Sequence, residues 1–553
     1  MSEKEEDGIE EPAEEPTEEL NEGSTEDEQK EIKVPALWHN YISFGGIAVA
    51  TAAIVSIILL FLIEFTGSSD QPYLGILIYI IGPAIMIFGF FIILAGMLFE
   101  RFRRRKMSPE EIAAYPILDL NGPKRRRAFI VFLFASFVFL FISAFGSYQA
   151  FEFTESVTFC GEVCHSVMRP ELVAYKAASH SNIKCVECHV GGGAEWYLRS
   201  KFAGVRQLWG VITDDYSKPI KTPVHNMRPA NETCGKCHWP DKFYGDQLRV
   251  FDHYGYDEKN SLNQTRLLVK VGGGNPATGN ATGIHWHMNL GNEITYVSAD
   301  ERRGDVVWVQ MKTKDGKTIE YSNGDTRFTA DQIAKAPRRK MDCIDCHNRP
   351  THVYLSPSTA VDNSLSAGKI DKNLPFVKKK AVEVLSGNYT TTEQALKAIS
   401  DDLNKYYSTS YADVYSSNRN GVNAAVVEVQ RIYSTYFFPE MKTDWRAHDN
   451  NIGHFNAEGC FRCHNGSFTS KEGRTIRKDC SICHTTLDQT VDGKTFTPEN
   501  GIFEHPVNLG DNKKLECAVC HKADRGFKHP VSLGDISKFQ CAECHKTGYK
   551  KPQ

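Results

Sequence analysis

The sixteen cysteines of this 553-residue chain carry the most chemical information, because each belongs to a pair that is followed directly by histidine. One pair, Cys160 and Cys164 before His165, has three residues between its cysteines. The other seven have the spacing Cys-x-x-Cys-His. They are formed by Cys185, Cys188 and His189; Cys234, Cys237 and His238; Cys343, Cys346 and His347; Cys460, Cys463 and His464; Cys480, Cys483 and His484; Cys517, Cys520 and His521; and Cys541, Cys544 and His545.

Two thiols at this spacing can add across the two vinyl groups of one haem, and the adjacent imidazole then reaches the iron. A zinc site would instead gather two cysteine pairs or separate histidines, and a disulfide gives no reason for the histidine. The seven regular motifs therefore predict covalent haem c. For Cys160 and Cys164 we also expect a haem, although a local disulfide or a haem held by Cys164 alone stays open. The total prediction is eight haem c groups.

The remaining histidines are numerous enough to fill the second axial position of every haem. Of nineteen histidines, eight follow cysteine and one, His39, precedes the first apolar run. As a second axial ligand, His287 is ranked slightly above its neighbour His285. For His253 and His448 the sequence favours neither a ligand role nor a structural role. The favoured distal ligands are His180, His225, His287, His352, His454, His505 and His529. A six-coordinate iron has no open position for a substrate, so such haems carry electrons.

A repeat near the C-terminus supports two of these assignments. Two copies of Phe-x-His-Pro-Val-x-Leu-Gly-Asp recur with a period of 24 residues, each before a haem motif. His505 and His529 each stand twelve residues before the first cysteine of their motif. A histidine at fixed spacing from a haem motif predicts a second axial ligand.

Three long apolar runs precede the first cysteine and must position the haem region. They are Phe44–Phe65, Tyr73–Phe99 and Ala128–Tyr148, each long enough to cross a bilayer core of about 30 Å. Basic residues cluster in Arg101–Lys106 and Lys124–Arg127, between the second and third runs, which predicts that this loop is cytoplasmic. The N-terminus then also lies inside, and every cysteine lies outside.

The chain can be divided by composition and pattern into seven segments, and its net charge of −4 gives no indication of nucleic acid binding. We expect three N-terminal transmembrane α-helices and an extracytoplasmic multihaem region of helices and loops, with a small β-rich insertion and a helical spacer. The segments are an acidic disordered cytoplasmic tail (1–33), a three-span anchor (34–150), a membrane-proximal domain for haems 1–3 (151–248), the β-rich insertion (249–335), a segment for haem 4 (336–354), the helical spacer (355–447) and a C-terminal four-haem domain (448–553).

Several stretches resemble a known family. The stretch "CGEVCHSVMRPELVAYKAASHSNIKCVECHVG" is similar to the start of the NapC/NirT family of membrane-anchored, quinol-oxidising multihaem cytochromes. The stretches "GIHWHM", "MDCIDCHNRPTH" and "GHFNAEGCFRCHNG" are similar to the larger, ImcH-like inner-membrane cytochromes of bacteria that respire extracellular acceptors. The resemblance covers roughly residues 128–490. It implies a quinol dehydrogenase.

The resemblance also implies site residues, with departures. The family places a methionine ligand two residues after the first motif's histidine, whereas Met168 stands three residues after His165. Whether His165 or Met168 ligates the iron of the first haem therefore stays open. The family has a lysine followed seven residues later by an aspartate beside the quinol. Lys201 matches the lysine, but position 208 is Leu. Glu195, Arg206 and Asp214 are candidate substitutes for the aspartate. Lys201, Glu195 and Arg206 are the candidates for quinol contact or proton uptake.

The expected function is oxidation of menaquinol from the quinol pool at the outer leaflet of the cytoplasmic membrane, in anaerobic or extracellular respiration. Electrons would pass singly along eight haems to periplasmic c-type cytochromes. Cys160 lies about a dozen residues past the third span, within roughly 18 Å of the membrane even at a helical rise. The alternatives are a terminal reductase with one open haem, and an electron-relay subunit that is fed by a separate membrane dehydrogenase.

Overall fold

The structure is a computed structural model that describes residues 35–66, 77–108, 112, 121–163, 165–191, 194–224, 227–239, 243, 245–272, 283–288, 291–313, 315–324, 326, 328–491 and 493–499. The predicted acidic tail and the C-terminal repeat lie outside the described residues. The chain divides into two compact units, residues 1–145 and residues 146–553.

Each of the three predicted apolar runs forms a helix that is long and apolar enough to cross a membrane. Helix α1 is Tyr41–Thr66, α2 is Gly82–Arg104 after a π-type turn at Leu77–Ile81, and α3 is Pro123–Thr154. Helix α3 therefore continues past the predicted end at Tyr148, and its last residues belong to the second unit.

Small residues let α1 and α2 approach closely. A Cβ atom on Gly89 would lie 2.7 Å from the backbone nitrogen of Ala50, so only glycine fits at this contact. Polar bonds add to the packing, since Ser43 Oγ donates to the Ile93 carbonyl (3.2 Å) and Asn40 Nδ2 donates to the Gly96 carbonyl (3.2 Å). Close backbone contact and interhelical hydrogen bonds are what hold helices together in lipid.

Short helices follow α3 in the second unit. They are α4 (His165–Lys176, after a π-type turn at Phe159–Val163), α5 (Cys185–His189), α6 (Ala194–Ile212) and α7 (Ala230–Cys234). Val167 and Ala174 of α4 form a buried cluster with Tyr354, and Val211 of α6 packs against that cluster. Helices α4 and α6 thus share a core with residues from much later in the chain.

Two antiparallel sheets follow. The four-stranded sheet has the order β1-β2-β8-β9, and the five-stranded sheet has the order β6-β3-β4-β5-β7. The strands are β1 Gln247–Tyr254, β2 Leu262–Val269, β3 Asn292–Ser298, β4 Val306–Thr313, β5 Thr318–Asn323, β6 Arg339–Lys340, β7 Phe468–Ser470, β8 His484–Val491 and β9 Lys494–Phe496. A capped helix, α8 (Ala330–Lys335), precedes β6.

The β-rich insertion predicted over residues 249–335 is not self-contained in this arrangement. Strand β2 pairs with β8, with Val269 opposite His484, and β5 pairs with β7, with Tyr321 opposite Ser470. Exposed strand edges attract a further strand, and here later parts of the chain cover both edges. Strands β7–β9, which lie close to the fifth and sixth haem motifs in the chain, were not among the predicted elements.

The predicted helical spacer forms a bundle of helices around one core. Its helices are α10 (Pro357–Ser366), α11 (Val377–Leu385), α12 (Thr392–Ser410), α13 (Ala412–Ser417) and α14 (Arg419–Tyr436), and a short α9 (Cys343–Cys346) precedes them. Ile399, Leu403 and Val429 are fully buried in that core. Helix α12 begins after a capping residue, since the Thr391 side chain accepts a hydrogen bond from Gln394 N (3.2 Å).

A buried ion pair ties this bundle to strand β1. Lys378 Nζ donates to Asp362 Oδ1 (2.5 Å) and to the Ser358 carbonyl (2.6 Å), and Asp362 accepts from Tyr254 N of β1 (2.9 Å). Burial lowers the pKa of Lys378 to about 8, although the Asp362 carboxylate opposes this shift. A buried pair of this kind fixes one packing of helix against strand.

Candidate haem sites

A helical turn carries one or both cysteines of each regular motif that the structure describes. In α9 the His347 amide donates to the Cys343 carbonyl (2.8 Å), and His464 N donates to the Cys460 carbonyl in the same way (3.0 Å). Residues three and four apart on a helical turn lie on one face. The turn therefore presents both thiols and the imidazole to the same side, which is the arrangement that one porphyrin requires. None of the eleven described cysteines forms a disulfide.

Five motif histidines each face a second histidine. The distance between ring centroids is 6.1 Å for His180 and His238, 6.3 Å for His189 and His352, 6.2 Å for His285 and His347, 5.8 Å for His287 and His464, and 6.2 Å for His454 and His484. A metal–nitrogen bond of about 2 Å on each side, plus about 1 Å from nitrogen to ring centre, gives about 6 Å. The residues present thus fit one iron between each pair.

Backbone carbonyls set the tautomer of several of these rings. Nδ1 lies 3.0 Å from the Val271 carbonyl in His285, 2.8 Å from the Ile284 carbonyl in His287, and 3.0 Å from the Glu171 carbonyl in His352. A carbonyl oxygen only accepts, so Nδ1 carries the proton and Nε2 keeps its lone pair. Metal-bound histidines are oriented in this way in general.

Burial keeps these rings neutral. It lowers the pKa of His189 and His347, and it lowers the pKa of His352 to about 4, with the nearby His189 acting in the same direction. Only the neutral imidazole can coordinate iron. The burial that would surround a porphyrin therefore also favours the protonation state that ligation needs.

The structure distributes the other predicted distal ligands as follows. His285 was ranked behind His287 and was not among the favoured ligands. It nevertheless faces a motif histidine, as His287 does, and the two rings face different motifs. His253 stacks on Phe455 and lies 3.4 Å from Asp362, and His448 stacks on Tyr354. His39 stacks on Trp38 before α1. His225, His505 and His529 lie outside the described residues, as do the motifs of His521 and His545.

The described cysteines form a chain of neighbours in the order of the sequence. The Cys160 and Cys185 thiols are close enough to shift each other's pKa, and so are those of Cys234 and Cys343. In the same way Cys188 acts on the pKa of Cys234, and Cys460 acts on the pKa of both Cys346 and Cys483. Motifs one to six are therefore adjacent in space as well as in sequence.

The end of α3 meets the first motif at an ion pair. Glu155, the residue after α3, is buried, and Lys201 Nζ of α6 donates to its Oε1 (3.0 Å). The neighbouring Cys185 thiol is the largest cause of the raised pKa of Cys160, and both charges also act on this thiol, since Glu155 raises its pKa and Lys201 lowers it. Glu155 was not among the predicted candidates, which all lie within about a dozen residues of Lys201 in the sequence.

The remaining candidates at this end have less definite surroundings. Arg206 is exposed on α6, and Asp214 lies 3.4 Å from Lys218 Nζ after the helix. Met168 is half-buried one turn after His165 in α4. Cys164 and the side chains of His165 and Glu195 lie outside the described residues.

Two comparisons with known proteins identify relatives of this chain. The N-terminal region of the NapC/NirT cytochrome c family matches residues 123–243, from the start of α3 through α7. The cytochrome c-type protein ImcH of Geobacter sulfurreducens is 44% identical over 491 residues, which is 88% of this chain and 96% of that protein. No solved structure matches the chain.

Proposed function

The chain belongs to the NapC/NirT cytochrome c family, as a membrane-anchored multihaem electron-transfer protein, and from this premise we propose that it is a quinol dehydrogenase. It oxidises menaquinol at the outer leaflet of the cytoplasmic membrane and passes the electrons singly to periplasmic c-type cytochromes. Eight haem c groups carry them, and each iron supplies reversible one-electron transfer when bound. The haem region is periplasmic and the N-terminus cytoplasmic.

The observation that carries this proposal is the Lys201–Glu155 ion pair at the end of α3 beside Cys160. Quinol oxidation releases two electrons and two protons, so it needs an electron acceptor and a proton acceptor at one place. Glu155 is a buried carboxylate within reach of the first motif, and Lys201, which is 41% exposed, joins it to the surface.

The two side chains have complementary roles in this proposal. The Lys201 ammonium donates a hydrogen bond to a quinol oxygen and stabilises the negative charge that develops as the proton leaves. The Glu155 carboxylate accepts that proton as a general base. It then releases the proton to water along the exposed side of Lys201 and is ready for the second one.

The five histidine pairs support electron transfer over substrate reduction at their irons. Each pair offers a nitrogen on both sides, and this leaves no open position for a substrate such as a nitrogen or sulfur oxyanion. The reductase alternative would need an open position at one of the other three motifs.

The experiment is reduction of the purified full-length protein by a menaquinol analogue, followed by haem absorbance. We expect rapid reduction, and we expect Lys201→Met to slow it while reduction by dithionite is unchanged. The matched control is Lys184→Met, because Lys184 forms a similar ion pair with Glu152 of α3 (3.7 Å). A protein that stays oxidised with excess menaquinol analogue, yet accepts electrons from dithionite, would contradict the proposal and favour the relay subunit.

A further inference from the structure

Helix α6 presents an unusually exposed apolar face. Phe202, Val205, Trp209 and Ile212 recur at intervals of three and four residues and are between 66% and 75% exposed, and Leu208 beside them is 53% exposed. This spacing places them on one face of the helix. Large apolar side chains gathered in this way on a surface mark an interaction site.

Helix α6 is attached to the rest of the protein at two points, in its first half and near its end. Val211 packs against the buried cluster that contains Val167 and Ala174 of α4. Lys201, on the same face as Leu208, forms the ion pair with Glu155. Between these two points, residues 202–209 are all exposed, so the apolar side chains are available to a partner.

The attachment of α6 close to the end of α3 indicates that lipid covers this face. Glu155 directly follows α3, an apolar helix of 32 residues that is able to cross a membrane. Glu155 stands seven residues past Tyr148, where the predicted apolar run ends, so a helical rise of about 1.5 Å per residue places it about 10 Å beyond that end. Its ion pair with Lys201 keeps α6 near the same level. Arg199 and Arg206 are exposed on α6, and such cations suit anionic headgroups.

We propose that α6 is an interfacial membrane helix, which lies along the bilayer surface with Phe202, Val205, Leu208, Trp209 and Ile212 in the acyl boundary. Aromatic and aliphatic side chains on one face with cations beside them are the composition of helices that bind in this way. The protein would thus contact lipid outside its three spans, and this contact holds the Lys201–Glu155 pair at headgroup depth. The inference does not depend on quinol oxidation.

The test is site-specific photocrosslinking of the full-length haem-loaded protein in nanodiscs of phosphatidylethanolamine and phosphatidylglycerol. The photoreactive residue p-benzoylphenylalanine replaces Phe202 or Trp209, and the control position is Val427 of α14, which is 65% exposed in the helical bundle. We expect lipid adducts at positions 202 and 209 in at least about tenfold higher yield than at 427, since only α6 would lie in the bilayer interface. Equal yields at all three positions, or crosslinks to the chain instead of lipid, would overturn the proposal.

A second measurement separates lipid from a porphyrin as the occupant. Phe202→Ser and Trp209→Ser should leave the haem content and the haem absorbance spectrum unchanged. A loss of haem or a spectral shift would show that the face covers a porphyrin, and the proposal would be wrong. Lipid crosslinking in a protein that menaquinol does not reduce would overturn the proposed function alone.

Discussion

His285 and His287 stand two residues apart on one short helical turn, Ile284–Met288, and they are predicted to ligate different irons with opposite ring geometries. The His285 ring is nearly parallel to its partner His347, at 7°, whereas His287 is nearly perpendicular to its partner His464, at 88°. In low-spin ferric haem, parallel imidazole planes separate two iron d orbitals and give a rhombic electron paramagnetic resonance (EPR) spectrum. Perpendicular planes leave the two orbitals almost degenerate and give a highly anisotropic signal.

The perturbation is His285→Ala or His287→Ala in the full-length protein. We expect each substitution to remove the low-spin signal of one haem per chain, because each histidine faces one motif. His285→Ala should remove rhombic intensity and His287→Ala should remove anisotropic intensity. The iron that has lost its ligand should appear as a high-spin signal of equal spin count.

The assay is low-temperature EPR of the fully oxidised protein, with spins normalised to haem content. His253→Ala is the matched control, because His253 is half-exposed and stacks on Phe455, and it should change neither class. If both substitutions on the turn removed intensity from the same class, or if neither produced a high-spin iron, the assigned pairing would be refuted.

Three other predictions concern stability, proton transfer and haem count. Because the pKa of Lys378 is lowered from 10.5 to about 8, the unfolded chain binds more protons between these values, and the bundle α10–α14 should gain up to about 3 kcal/mol as the pH rises from about 8 to about 10.5. The urea midpoint for proteolysis of the bundle measures this gain, which Lys378→Met should abolish. Glu155→Gln should slow menaquinol-driven haem reduction about 100-fold in stopped-flow absorbance, since a general base is lost; an unchanged rate would remove Glu155 from the mechanism. Intact mass spectrometry should find eight haems on the chain and seven after Cys160→Ser with Cys164→Ser, and an equal number in both would contradict a haem at the first motif.

The parts of the site that sequence predicts well are local. Two cysteines and a histidine within five residues need only one helical turn, so Cys343, Cys346 and His347 are recognisable without any knowledge of the fold. The apolar spans and the cap at Thr391 are local in the same sense. Each depends on neighbours that are a few residues away.

The parts that sequence could not predict are long-range pairings. His352 reaches His189 from beyond the β-rich segment, and nothing in the spacing of the two residues specifies this contact. Glu155 was overlooked for the same reason, because its partner Lys201 lies on a different helix. Counting histidines showed that enough ligands exist, but only packing decides which ring faces which motif.

The β-rich segment has a role that its sequence does not suggest. The turn that carries His285 and His287 lies between β2 and β3, and these rings face the fourth and fifth motifs. The sheets on either side are completed by β8 and β7, which come from the region of the fifth and sixth motifs. Strand pairing therefore positions the two distal histidines. It also positions the chain segments that carry the motif histidines they face. Since consecutive motifs also contact each other through their cysteines, one hydrogen-bonded scaffold holds motifs four to six in sequence order. A substitution that broke the β2–β8 register at Val269 should therefore alter several histidine pairs together, whereas loss of a single histidine should alter one.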